Sequence, residues 1–338
     1  MKPPSSSTRR ERLARWLGIA VIALVVYAML AALVLASSFV LLQRGITPQL
    51  PWISVVQEYL YMKGMRSVWQ SRIDCVEFDE TLIYKPKLGA CHFRNPEFDT
   101  TLNFFPEGRS TGPKPAGQGI AVIGDSHAMG WGVQDEETFA AELQRISNRP
   151  VYNLAVSSYG TLRELHRLDK AGLWDKIDTV ILQYCDNDID ENKVGRLNDA
   201  DHNRQLFETI TKGQTGSGGL FKVLGKAYGR TFSAPFSSMK KKKARLKDFT
   251  PHHAALSGIL AQYPQLKDKR VLVFYSNEHG KRFSAFPVGK DRQLSHVEYL
   301  ELDLARDDYF RLDDHLTPAG HAKVAKQLFS KIQGKERP

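Results

Sequence analysis

The sequence has little cysteine, with three residues in 338, which excludes a small scaffold held together by disulfides. It also lacks compositional bias, because 42% of its residues are apolar and 25% are charged. This composition excludes a disordered, collagenous or low-complexity protein. No internal repeat is present. The length is sufficient for one large α/β domain or two smaller domains, each with a buried core.

Acidic residues are scarce in two basic segments, and these segments carry the net charge of +10. Residues 1–15 hold five basic residues against Glu11, and residues 240–247 hold six basic residues and no acidic one. The rest of the chain is balanced, so we predict no nucleic-acid partner. We interpret the Lys240–Lys243 run as a solvated face, and attraction of an anionic glycan or lipid headgroup is the alternative.

Charge is absent from the 26 residues Leu17–Leu42. As a helix this run spans roughly 39 Å, enough to cross a hydrocarbon core of about 30 Å. We therefore predict a transmembrane helix at 16–43 after a cytoplasmic tail at 1–15; a cleaved signal peptide has a shorter apolar region. Basic residues precede the run, so the rest of the chain lies outside. In a Gram-negative bacterium this means a single pass through the inner (cytoplasmic) membrane and a periplasmic domain.

An oxidising compartment gives the cysteines a role. Cys75 and Cys91 lie 16 residues apart in a segment with little regular pattern, and we predict a disulfide between them. Two separate buried thiols are the alternative. Cys185 ends an apolar run and is interpreted as a small core residue. Residues 44–118 as a whole are predicted to form a stalk and an irregular lead-in.

Apolar runs alternate with helical patterns from residue 119 onward. This alternation predicts an α/β fold, a three-layer α/β/α sandwich around a mostly parallel sheet. We assign residues 119–338 to this domain and interpret about 190–250 as an insertion over its active face. The predicted strands are 119–123, 151–155, 179–184, 271–275 and 297–302, and the predicted helices are 136–146, 161–171 and 318–332.

Polar residues follow these runs where a parallel sheet places its ligand site, beyond the carboxyl ends of the strands. Ser126 follows the first run, Ser158 the second and Asn187 the third, and Asp313 and His315 lie near the C-terminus. Nucleophilic acyl transfer requires a serine, a base, a carboxylate that orients the base, and donors for an oxyanion. The sequence therefore predicts acyl-transfer chemistry at this edge.

Metal and cofactor sites are not predicted. Residues Asp186–Asp190 superficially resemble a calcium loop, but Glu191 stands where that loop requires glycine. The histidines outside the predicted site lack the spacing of metal ligands.

Several motifs together resemble the SGNH (GDSL) hydrolase superfamily, in its membrane-anchored bacterial type. The matching segments are Ile-Gly-Asp-Ser at 123–126, Gly-Trp-Gly-Val at 130–133, Asn-Leu-Ala-Val-Ser-Ser-Tyr-Gly-Thr at 153–161, Asn-Asp at 187–188, and Asp313 with His315 before the Pro-Ala-Gly-His start of a helix. The resemblance covers about residues 119–189 and 271–332. It implies a flavodoxin-like SGNH fold.

The resemblance also implies roles for single residues. Ser126 would be the nucleophile and His315 the base, with Asp313 orienting the histidine and Asp314 as the fallback. The oxyanion hole would comprise the backbone N–H groups of Ser126 and Ser158 and the side-chain amide of Asn187.

Two positions depart from the family pattern. Ser158 stands where glycine is usual, and its side chain would narrow the pocket and select small acyl groups. The acidic residue is commonly three positions before the histidine, where this chain has Leu312. Asp313 is two positions before it, and this spacing resembles the membrane-associated polysaccharide O-acetylation branch. Trp131 and Tyr159 flank the predicted crevice, and we predict that they stack on a sugar ring, with a core role as the alternative.

The leading hypothesis is an extracytoplasmic serine esterase that removes a small, acetyl-like group from a glycan or related ester. A glycan O-acyltransferase and a catalytically silent glycan-binding subunit of an envelope assembly complex are the alternatives. The predicted partners are an acylated glycan or other small ester, the lipid bilayer through residues 17–42, and envelope polysaccharide machinery, with no cofactor.

Overall fold

The computed structural model describes residues 6–48, 50–194, 197–212, 219–237, 248–276, 283 and 286–334. The chain forms two compact units, Met1–Arg66 with Ser217–Lys243, and Ser67–Gly216 with Ala244–Pro338. The helices are α1 Ser6–Gln43, α2 Pro51–Leu60, α3 Ser126–Met129, α4 Phe139–Ser147, α5 Thr161–Lys170, α6 Asp188–Glu191, α7 Ala200–Lys212, α8 Gly219–Ser237, α9 Thr250–Leu260 and α10 Pro318–Ile332. The strands are β1 Val76–Asp79, β2 Ile83–Pro86, β3 Gly89–Asn95, β4 Phe98–Phe105, β5 Gly108–Arg109, β6 Gly119–Ile123, β7 Val151–Asn153, β8 Ile177–Tyr184, β9 Arg270–Tyr275, β10 Gly289–Lys290 and β11 Val297–Leu300.

The first unit is helical and contains α1, α2 and α8. Within α1, the stretch Arg10–Gln43 is long and apolar enough to cross a membrane, a property that a signal sequence shares. Hydrogen bonds join the other helices to its C-terminal half. Gln57 of α2 donates to the Ser38 carbonyl at 3.5 Å, and Tyr228 of α8 donates to the Ala28 carbonyl at 3.0 Å. The predicted basic run Lys240–Lys243 lies outside the described residues.

The second unit contains a nine-stranded sheet in the order β10-β11-β9-β8-β6-β7-β5-β4-β3. The five central strands, β11, β9, β8, β6 and β7, pair in parallel. Antiparallel strands extend both edges, β10 on one side and β5, β4 and β3 on the other. The predicted α/β class with a large central sheet is confirmed, and the carboxyl ends of β6, β7 and β8 lie side by side.

Alternation along β6 explains the helix layers on both faces of the sheet. Ile120 and Val122 belong to one buried cluster, and Ala121 and Ile123 belong to another. Because side chains alternate between the faces of a strand, these clusters lie on opposite sides of the sheet. The first cluster includes residues of α4 and α10, and the second includes residues of α5 and α9.

The lead-in differs from the irregular segment that the sequence analysis predicts. Strands β3, β4 and β5 belong to the main sheet, so the predicted boundary at residue 118 does not separate two structures. Four alternate residues of β4, from Phe98 to Phe104, are buried, as expected when one face covers a core. In the predicted insertion, α7 packs on the lead-in, where Phe207 lies 5.8 Å from Phe78 between ring centroids.

Cys75 and Cys91 are buried and joined by a disulfide, with 5.4 Å between their Cα atoms. We expect the double replacement Cys75→Ser and Cys91→Ser to lower the free energy of unfolding by about 3 kcal/mol, because a closed loop of this length restricts the unfolded chain. Urea denaturation measures the difference. A reductant should lower the stability of the wild-type chain and leave the double variant unchanged; equal stability of both proteins under oxidising conditions would contradict the prediction.

Candidate active site

Three predicted catalytic side chains meet in the structure. Ser126 Oγ lies 2.6 Å from His315 Nε2, and the other ring nitrogen, Nδ1, contacts the Asp313 carboxylate. Asp314 lies farther away, with its Oδ1 at 3.3 Å from Nδ1. An ionised carboxylate only accepts hydrogen bonds, so Nδ1 carries the proton and Nε2 can accept the proton of the serine hydroxyl. This arrangement can activate Ser126 as a nucleophile.

A tight turn between β6 and α3 presents Ser126. Asp125 caps α3 and accepts a hydrogen bond from the His127 backbone N–H at 2.9 Å. Gly124 has a φ of +150°, and a Cβ atom there would lie 2.7 Å from the Ala128 side chain and 2.8 Å from Gln183. Glycine is therefore required directly before this turn, in agreement with the Gly-Asp-Ser motif.

The loop that carries His315 is held by Glu97, which sequence reasoning missed. The Glu97 carboxylate accepts three consecutive backbone N–H groups, from Arg311 at 2.9 Å, Leu312 at 2.7 Å and Asp313 at 2.8 Å. Burial raises the pKa of Glu97, and the three donors oppose that shift. Glu97 lies between β3 and β4, more than 200 positions before the loop, and one acidic residue in a turn gives no sequence signal for such a contact.

Candidate oxyanion donors follow the three adjacent strands β6, β7 and β8. In the described part of the chain, the backbone N–H groups of Ser126 and Ser158 have no acceptor. Asn187 follows β8, is partly exposed, and its Oδ1 has no hydrogen-bond partner among the described residues. The sheet therefore brings to one edge the three residues that the sequence analysis assigns to an oxyanion hole.

His127 is a second histidine at the site that sequence reasoning missed. Its ring lies against that of His315, with centroids 4.6 Å apart. It is 4% exposed, and its Nδ1 lies 3.4 Å from Ser276 Oγ. The available signal was its place directly after the predicted nucleophile. Its ring covers one face of the His315 imidazole.

The predicted sugar-stacking roles of Trp131 and Tyr159 are wrong, because the lead-in covers both side chains. Trp131 is 3% exposed, with ring centroids 4.7 Å from Phe93 and 5.6 Å from Phe98. Tyr159 is fully buried, and its hydroxyl donates to the Tyr84 carbonyl. Both residues belong to the core, the alternative that the sequence analysis left open.

Buried carboxyl groups lie close to one another around Asp125, the residue before Ser126. Burial raises the pKa of Asp125 to about 6, against the opposing hydrogen bond from His127. The pKa values of Glu164 and Asp188 are also raised, by burial first and then by nearby carboxylates. Burial likewise raises the pKa of the Cys185 thiol, so this cysteine stays protonated and is no rival nucleophile.

Asp125 makes the stability of the protein depend on pH. Its pKa is about 6 in the folded chain and 3.8 for the ordinary group, so the folded state binds the proton more tightly. This stabilisation is complete below pH 4 and is lost as the pH rises through 6, with a total of about 3 kcal/mol. We expect Asp125→Asn to unfold at higher urea concentration than wild type at pH 8 and at a similar concentration at pH 4. An equal difference at both pH values would contradict this assignment.

Asp313, Asp314 and His315 also form a group whose ligand atoms all lie within 4.8 Å of one another. One ring nitrogen of His315 contacts Ser126, and the other faces the two carboxylates. Both ring nitrogens of His315 therefore already have partners within the protein.

Comparisons with known proteins give similarity only at the level of solved structures. No family model matches the sequence, and no curated protein matches it. A lipolytic protein of the G-D-S-L family from Desulfitobacterium hafniense DCB-2 is 10% identical over 64% of this chain and 99% of its own, with a TM-score of 0.29. A carbohydrate esterase described as having divergent catalytic and non-catalytic binding functions is 13% identical over 68% of each chain, with a TM-score of 0.33.

A carbohydrate esterase family 2 enzyme of Corynascus thermopiles (Myceliophthora fergusii), with its carbohydrate-binding domain, is 12% identical, with a TM-score of 0.33. The match covers 67% of this chain and 70% of that enzyme. Likeness at this level carries no argument about activity, which depends on the geometry of the site. The solved structures to which this chain is similar thus include a G-D-S-L lipolytic protein and two carbohydrate esterases.

Proposed function

We propose that this protein is a membrane-anchored serine esterase that removes a small acyl group, such as acetyl, from an extracytoplasmic glycan or related ester. The observation that carries the proposal is the contact of Ser126 Oγ with His315 Nε2 at 2.6 Å, together with the Asp313 contact to the same ring. A subunit that only binds glycan has no need for this arrangement, in which a serine contacts a histidine and a buried carboxylate orients that histidine. The geometry therefore favours an enzyme.

Acylation of the serine is the first step of the proposed reaction. Ser126 Oγ attacks the ester carbonyl while His315 Nε2 takes the hydroxyl proton, and the carbonyl oxygen becomes an oxyanion. The N–H groups of Ser126 and Ser158 and the amide of Asn187 stabilise that charge. The intermediate collapses with cleavage of the ester C–O bond, His315 gives its proton to the departing sugar oxygen, and the acyl group remains on Ser126.

Deacylation decides between hydrolysis and transfer. His315 removes a proton from water, the hydroxide attacks the acyl carbon, and Ser126 leaves with the proton from His315. A sugar hydroxyl in place of water gives O-acyl transfer by the same proton movements. Asp186 and Asn187 follow β8 and are partly exposed, and such a polar border favours a hydrophilic acceptor over a long acyl chain.

The membrane location is part of the proposal. Helix α1 exposes large apolar side chains from Leu13 to Leu33, a stretch of about 31 Å, and Arg9, Arg10, Arg12 and Arg15 lie at its N-terminal end. Basic residues on that side favour an N-terminus in the cytoplasm. The Cys75–Cys91 disulfide agrees with a catalytic unit in an oxidising compartment.

An ester panel tests the activity. Full-length protein in detergent is assayed with p-nitrophenyl esters from acetate to octanoate, and with an acetylated and a deacetylated oligosaccharide. We expect turnover to be highest for acetate. Faster release of p-nitrophenol with the deacetylated acceptor, and acetate found on the sugar, would identify transfer. A folded protein that turns over none of these esters and does not react with a fluorophosphonate at Ser126 would refute the proposal.

A further inference from the structure

The loop after β7 has a backbone conformation that its sequence does not favour. Ser158 has a φ of +57°, in the left-handed region. The Cβ atom makes this region unfavourable for residues other than glycine. Because the N–H of Ser158 is a candidate oxyanion donor, its direction depends on how this conformation is maintained.

One amide side chain contacts both hydroxyl groups of the loop. Gln70 Nε2 donates to Ser158 Oγ at 3.0 Å, and Ser157 Oγ donates to Gln70 Oε1 at 3.1 Å. Gln70 lies in a short helical turn, Trp69–Ser71, and Trp69 in this turn is 1% exposed. The buried tryptophan anchors the turn, so the amide is presented from a fixed position.

The carbonyl groups of the same loop are held from two other sides. Tyr84 donates its hydroxyl to the Ser157 carbonyl at 2.7 Å, and Arg163 donates to the Ser158 carbonyl at 2.6 Å. Arg163 is itself buried and paired with Glu191 at 3.0 Å. Both carbonyls and both hydroxyls of the pair are therefore engaged, whereas the Ser158 N–H has no acceptor among the described residues.

We propose that Gln70 is a positioning residue for the oxyanion hole. Its paired hydrogen bonds keep Ser158 in the left-handed conformation and so aim the Ser158 N–H at the reacting carbonyl. In this view the Gln70 hydrogen bonds hold Ser158 in a left-handed conformation that glycine would adopt without such support. The inference deepens the proposed function, on which it rests.

A double-mutant comparison tests the proposal on the full-length protein in detergent. We expect Gln70→Ala to lower kcat about tenfold with KM changed less than twofold, because the oxyanion forms only in the transition state. Ser158→Gly removes both the strain and the hydroxyl that Gln70 contacts. In that background, we expect Gln70→Ala to change kcat less than twofold. Gln118→Ala, at an exposed glutamine remote from the loop, is the matched control.

Equal losses from Gln70→Ala in both backgrounds, or no loss in either, would overturn the proposal. Hydrogen–deuterium exchange gives a readout that needs no turnover: Gln70→Ala should speed exchange in the peptide covering 156–160, and Gln118→Ala should not. Unchanged exchange there would also overturn it. If the wild-type chain turns over no ester, the proposed function fails. Faster exchange in Gln70→Ala would still show that the Gln70 hydrogen bonds hold the loop.

Discussion

Ser126→Ala is expected to lower ester hydrolysis at least about 10⁴-fold, the scale seen when a nucleophile that acts together with its base is removed. The hydroxyl lies 2.6 Å from His315 Nε2, and the buried Cys185 thiol, whose pKa is raised, cannot replace it as a nucleophile. Substrate binding depends little on this oxygen, so the loss should fall on kcat. Steady-state kinetics with p-nitrophenyl acetate measures it, and fluorophosphonate labelling should disappear in parallel.

The same prediction includes a test of concerted action. His315→Ala should cost about as much as Ser126→Ala, and the double variant should be no worse than either, because the two groups act as one unit. Ser110→Ala and His92→Ala, at positions away from the site, serve as controls. Losses that multiply in the double variant, or full activity of Ser126→Ala in a folded protein, would contradict the assignment.

Asp313→Asn is expected to lower kcat about 10³–10⁴-fold, whereas Asp314→Asn should lower it less than about tenfold. Asp313 contacts His315 Nδ1 directly, while Asp314 is 3.3 Å away. An asparagine at 313 can turn its amide N–H toward Nδ1, which favours the tautomer with the proton on Nε2 and prevents that nitrogen from accepting the serine proton. The pair is matched in chemistry and in sequence neighbourhood, so only the position differs.

The two aspartate variants are compared by kcat, KM and melting temperature at one pH. A larger loss in Asp314→Asn would assign the orienting role to that residue. Similar large losses in both would mean that the two carboxylates act on the imidazole together. Either result would replace the assignment of Asp313 alone.

The sequence predicts well those helices and strands whose bounds depend on nearby residues. The closing helix begins and ends where Pro318 and the apolar spacing place it, because Pro suits the first turn and Thr317 caps it through the Gly320 N–H. The strand at 119–123 is predicted equally well. The helix predicted at 136–146 begins three residues later, because Asp135–Glu137 forms a separate turn.

The parts that sequence reasoning missed depend on contacts between distant segments. Glu97 and Gln70 act through two or three hydrogen bonds each to loops that follow them by 87 to 216 positions, and a lone polar residue carries no periodic signal. The error at Trp131 and Tyr159 has the same origin, because strands β3 and β4 cover Trp131 and Tyr84 of β2 covers Tyr159. Position at a strand end predicts proximity to the site but does not predict exposure.

The position of Glu97 in the chain limits how the protein can be divided. All five parallel strands, Ser126 and His315 lie after residue 118, so a fragment that begins there holds the proposed nucleophile and base. It lacks the carboxylate that fixes Arg311, Leu312 and Asp313. On the proposed function, an active fragment must therefore begin upstream of Glu97, because two stretches of chain build the loop that holds Asp313 and His315 and neither is sufficient without the other.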